Sequence, residues 1–250
     1  MSDRLSPWFL LLLGVSVAGG VLTVVATSQR SQALLTTGVV LLVAGGWAVS
    51  LCLHEFGHAF VAYRGGDTTV RDKGYLTLDI RRYTDIGWSF VLPVIFLLIG
   101  GIPLPGGAVW INHGLLRSRG ARSLVSLAGP LTNLVLAVVL TVTVATIEMP
   151  FGLAIALSCL ALIQVYAFVL NILPVPGLDG FGVIEPYLSY EAQRTAAKIR
   201  PWAPLVVFLL LIGVPAAGRV FFSIASFLFG AVGGSPVLAS IGYSELLFWR

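Results

Sequence analysis

The sequence predicts an all-α polytopic membrane protein with about six transmembrane helices and a re-entrant loop or short β-hairpin region between the second and third spans. Three observations predict it. Hydrophobic residues make up 57% of the 250-residue chain and charged residues only 10%. A soluble domain carries roughly 25% charged residues, so this chain has too little polar surface to cover a water-facing globule. Several apolar stretches reach the roughly 20 residues that cross a bilayer. The basic residues, finally, concentrate in alternate loops.

In order, the predicted spans are residues 8–26, 34–63, 124–147, 151–173 and 201–217, with 221–232 as a shorter sixth and 88–101 as a brief apolar run. The first follows Met1-Ser2-Asp3-Arg4 but is too long and uniform for a cleaved signal peptide, and residues 24–29 make a poor cleavage site. Arg4, then Arg64, Arg71, Lys73, Arg81, Arg82, Arg117, Arg119 and Arg122, then Arg194, Lys198 and Arg200 fall on one side, while the short loops 27–33 and 148–150 hold only Arg30. The positive-inside rule therefore puts the N-terminus and both large loops on the cytoplasmic side of a cell membrane. The net charge of +4 resides in these loops and does not imply a nucleic-acid partner. Cys52 and Cys159 lie inside predicted spans and read as small packing residues.

A single membrane domain fills residues 1–250, without repeats or low-complexity tracts. Between residues 64 and 122 its character changes. Gly65-Gly66-Asp67 is a turn, and residues 74–79 alternate like a short strand. The apolar run 88–101 leads into a Pro/Gly cluster at 102–107 that cannot continue a helix, followed by strand-like residues at 108–111. Residues 88–112 thus read as a re-entrant unit. Non-helical backbone at that depth requires protein or a water-filled cavity to satisfy its polar groups.

Within the greasy second span stand His54, Glu55 and His58. Ionisable residues at such depth are costly and mark function. On a helix the two histidines lie one turn apart on the same face, so His-Glu-x-x-His offers two metal ligands with a candidate general base beside them. A catalytic zinc uses three protein ligands and leaves a fourth position open. The third should be a His, Asp, Glu or Cys at similar depth on the same side. Asp179, in the helix-breaking sequence Asn171-Ile172-Leu173-Pro174-Val175-Pro176-Gly177-Leu178-Asp179-Gly180, is the candidate. It reaches the histidines only if 88–101 does not cross the membrane, which agrees with the re-entrant reading.

His54-Glu55-Phe56-Gly57-His58, the Asn171–Gly180 sequence and Ala128-Gly129-Pro130-Leu131-Thr132-Asn133 together resemble the site-2 protease family of intramembrane zinc metalloproteases, in its compact prokaryotic form. The resemblance spans about residues 45–185, with the re-entrant and strand region at about 66–112. It implies one Zn2+ per chain held by His54, His58 and Asp179, with Glu55 as the proton acceptor and Asn133 helping to hold the substrate carbonyl or oxyanion. It also implies regulated intramembrane proteolysis of single-span transmembrane proteins in the lipid bilayer, often after an upstream site-1-type protease. A substrate helix must unwind before cleavage, and Gly107, Ala108, Val109, Trp110 and Ile111 offer an open strand edge for it by β-addition. The alternatives are a proteolytically silent scaffold that binds membrane proteins, or a metal transporter.

Overall fold

The computed structural model describes residues 5–83 and 109–249. Helix α1 (Pro7–Gln29) begins on a Ser6 cap and turns at Arg30 into α2 (Gln32–Gly65), capped by Ser31. Short helices α3 (Thr69–Asp72) and α4 (Ile80–Tyr83) follow. After them come α5 (Arg119–Thr146), α6 (Phe151–Asn171), α7 (Asp179–Ile184), α8 (Tyr190–Ile199), α9 (Ala203–Gly213), α10 (Pro215–Ala231) and α11 (Pro236–Leu246). Among the described residues four helices, α1, α2, α5 and α6, are long and apolar enough to cross a membrane, or five if the bent pair α8–α9 is one span. The all-α membrane fold is as the sequence predicts.

Helix α6 is the axis of the bundle. Of its apolar stretch 78% is buried, against 28% for α1 and α5, which leave their outer faces to lipid. Without a hydrophobic force between helices in lipid, close backbone approach has to do the packing. Small residues on α6 (Ala154, Ala156, Ser158, Cys159, Ala161) are all buried. One side of α6 meets Val39, Leu42, Val43 and Trp47 of α2, and the other meets Phe221, Ala225 and Phe229 of α10. Both cysteines are buried and unpaired, in keeping with packing roles.

The order of contacts fixes direction. Gly65 lies opposite Ala121, His58 opposite Val125, and His54 opposite Asn133, so α2 and α5 run antiparallel. The Arg117 amide donates to the Gly65 carbonyl at 3.1 Å. The chain therefore leaves α2 and re-enters α5 at the same end of the bundle, as the ligand argument required. The re-entrant path itself, residues 88–108, lies outside the described residues.

Two expectations are corrected. Residues 74–79 do not form a strand: Tyr75–Thr77 is a 3-10 turn and Leu78 sits in the left-handed region at φ 56°. Alternation needs a pairing partner to become a strand, and here the Tyr83 hydroxyl donates to the Tyr75 carbonyl while the Ser6 amide donates to Thr77. Among the described residues no strand forms; residues 84–108 of the predicted hairpin region lie outside them. The segment read as one span at 201–217 breaks at Val214, whose extended backbone (φ −113°, ψ 101°) is what a residue before proline adopts. Residues 232–235 separate α10 from α11, in which Ser235 caps the Leu238 amide and Pro236 occupies the first helical position.

Candidate metal centre

His54 and His58 project from α2 roughly 16 and 10 Å from its C-terminal end, at 1.5 Å per residue, and both are buried. Two separate anchors set their rings. His58 Nδ1 lies 2.7 Å from the Val125 backbone carbonyl of α5. His54 Nδ1 lies 2.6 Å from Asn133 Oδ1. A carbonyl only accepts, so each Nδ1 carries the hydrogen and each Nε2 presents a lone pair.

These lone pairs converge. His54 Nε2 and His58 Nε2 are 3.1 Å apart. Asp179, at the first position of α7, brings Oδ2 to 3.2 Å from His54 Nε2 and Oδ1 to 3.4 Å from His58 Nε2. Three acceptors facing one another repel unless a cation lies between them. Tetrahedral zinc with bonds of about 2.05 Å needs ligand atoms about 3.3 Å apart, and the three observed edges bracket that value. Gly129 completes the cradle: a Cβ there would sit 2.3 Å from His58 Nε2 and 2.5 Å from His54 Nε2. The residues fit zinc.

Glu55 is buried next to the ligands and holds the Val109 amide through Oε2 at 3.1 Å. A cavity of about 310 Å³ adjoins them, lined by His54, Glu55, His58, Val109, Ile111 and Asp179 among others. Val109 and Ile111 thus face the chemistry while Trp110 is 74% exposed. Asp67 orients this segment, accepting from the Asn112 amide at 2.7 Å with one oxygen and from Thr69 with the other. Gly107 and Ala108 lie outside the described residues. His113 also lines the cavity, where burial and then the Arg122 charge push its imidazole below the ordinary range and keep it neutral.

Comparison with known proteins bears on this geometry. The family model described as Peptidase family M50 matches residues 42–158. Over 250 residues the chain is 45% identical to "Putative zinc metalloprotease Rip2" of Mycolicibacterium smegmatis, covering 99% of this chain and 95% of that protein. The chain belongs to peptidase family M50. It is 44% identical, over the same shares, to the Rip2 protein of Mycobacterium tuberculosis, and 31% identical to "Putative zinc metalloprotease YwhC" of Bacillus subtilis over 69% of this chain and 80% of that one. No solved structure matches. This M50 peptidase is therefore a zinc metalloprotease and a membrane protein, and its motifs' resemblance to site-2 proteases is borne out. The family match ends before Asp179, and it is the fold that brings this residue to the histidines.

Two features escaped sequence reasoning. Gln164 and Ser50 extend the polar contacts behind Asn133. Asn133 itself directs its carbonyl at His54 and an amide hydrogen at Gln164, so the contacts it makes are to the ligand's far side.

Proposed function

We propose that this M50 peptidase hydrolyses peptide bonds in or beside the membrane-spanning segments of other membrane proteins, from a site opening towards the cytoplasmic face of a cell membrane. One observation carries the reading: the donor cluster and its cavity lie inside the helical bundle, well short of the end of an apolar helix. The basic loops at that end of the bundle support the orientation.

His54, His58 and Asp179 hold the zinc, and Asn133 positions His54. When bound, the ion supplies a Lewis acid that brings the pKa of water from 15.7 towards ~7. Glu55 accepts the proton of the attacking water and returns it to the leaving amine. The Val109 amide steadies the carboxylate between these transfers. Segment 109–111 offers backbone groups to an unwound substrate, with Val109 and Ile111 forming the cavity wall.

The test is reconstitution with a single-span substrate. Cleavage should map within or next to the span, stop with chelator and return with zinc. Hydrolysis confined to soluble peptides overturns the reading. The Trp110→Pro variant removes one backbone donor from the wall and is expected to lower cleavage about tenfold, the equivalent of about 1.4 kcal/mol, with zinc content unchanged. Unchanged cleavage by that variant argues against pairing of the substrate with this segment.

A further inference from the structure

Behind His54 a continuous hydrogen-bonded chain crosses from α5 to α6 and returns to α2. Asn133 Nδ2 donates to Gln164 Oε1 at 2.8 Å, and Gln164 Nε2 donates to Ser50 Oγ at 3.0 Å. Ser50 in turn donates to the Trp47 carbonyl at 2.7 Å. Asn133, Gln164 and Ser50 are only 3, 1 and 4% exposed, so water does not compete for these groups.

The direction of the whole chain is set at its far end. A backbone carbonyl cannot donate, so Ser50 commits its only hydrogen to Trp47 and accepts from Gln164. Gln164 must then present its amide nitrogen to Ser50 and its oxygen to Asn133. Asn133 must give its nitrogen to Gln164 and its oxygen to His54. An unanchored asparagine could turn over at little cost and offer N–H to His54 Nδ1. The imidazole hydrogen would then move to Nε2, on the side facing Asp179, and block coordination there.

We infer that Gln164, anchored through Ser50 on the Trp47 carbonyl, is a positioning residue that locks Asn133 in one orientation and so holds His54 as the Nδ1–H tautomer. The inference rests on the reading of His54 as a metal ligand. Partners that orient ligating histidines are worth about 10–100-fold in metal affinity. His58 needs no such device, because its anchor is the Val125 backbone carbonyl, which cannot turn over. The two histidines therefore provide a built-in comparison.

The experiment uses the full-length protein in detergent with 15N-labelled histidine. The chain has three histidines, so each can be assigned and its tautomer read in the zinc-free state. Zinc affinity is measured separately by chelator competition. Gln164→Leu removes the acceptor for Asn133; His54 should shift towards the Nε2–H tautomer, His58 should not, and zinc affinity should fall about 10–100-fold. Gln164→Glu, neutral when protonated at this depth, still accepts from Asn133 and donates to Ser50, and should keep both properties near wild type. An unchanged His54 tautomer in Gln164→Leu overturns the inference. So does an equal loss of zinc in both variants, because the acceptor would then not be the cause. Failure of the wild type to bind zinc would sink the metal-site reading instead, and the tautomer comparison would still decide the role of Gln164.

Discussion

Replacement of Glu55 by Gln is expected to abolish peptide hydrolysis while zinc content and fold stay intact. Glu55 is not among the three converging donors, since those are His54, His58 and Asp179. Its carboxylate instead faces the cavity and accepts from the Val109 amide. Glutamine has the same shape and keeps an oxygen for that amide, so the local packing and segment 109–111 lose little. What it cannot do is take up a proton. General base and acid roles contribute about 10²–10⁴-fold each time they are used, and here one group serves both transfers, so the loss should reach at least the upper part of that range. Zinc stoichiometry by metal analysis, with cleavage of a reconstituted substrate, separates this from a ligand defect. Cleavage within tenfold of wild type would remove Glu55 from the chemistry. Glu55→Asp should also be severely impaired, because withdrawing the carboxylate by one methylene moves it away from both the Val109 amide and the cavity.

The parts legible in the sequence are those where local chemistry and topology constrain one another. His54 and His58 were readable because helical spacing alone puts them on one face. Asp179 was readable because prolines and glycines stop α6, and because charge bias put that stop at the histidine end of the bundle. Gln164 was not recognised, although it carries a usable signal: it is the one amide within the apolar run 151–170. A polar side chain inside a lipid-spanning helix needs a partner, and that requirement points towards the centre of the bundle. The strand at 74–79 was misread for the opposite reason. Its alternation is real, but the segment spends its polar groups on Ser6 and Tyr83. The span predicted at 201–217 fails at Pro215, which begins α10 because the residue before a proline is driven to extended backbone.

The Gly129→Ala variant is expected to lose zinc even though it adds only a methyl group. The α5 backbone passes directly behind the two ligating rings, and the new carbon would lie 2.3 Å from His58 Nε2 and 2.5 Å from His54 Nε2. Relief would require the rings to swing away. His58 is tethered by Nδ1 to Val125 and His54 by Nδ1 to Asn133, at 2.7 and 2.6 Å. Any swing therefore breaks a buried hydrogen bond as well as pulling Nε2 from the position facing Asp179. The alternative, bending α5 outward, would separate Asn133 and Val125 from the rings they orient. Either route removes the convergence of donors, so zinc affinity should fall at least about 100-fold, beyond the usual effect of disturbing an orienting partner. Gly57→Ala on the facing surface of α2 is the control. Its closest obstacles are the Thr132 hydroxyl at 2.7 Å, which can turn aside by giving up its bond to the Ala128 carbonyl, and that carbonyl at 3.2 Å; neither is a zinc-facing atom, so zinc binding there should persist. Chelator competition on both purified variants provides the measurement. Full zinc affinity in Gly129→Ala would mean that the rings do not hold the ion in the geometry assigned here.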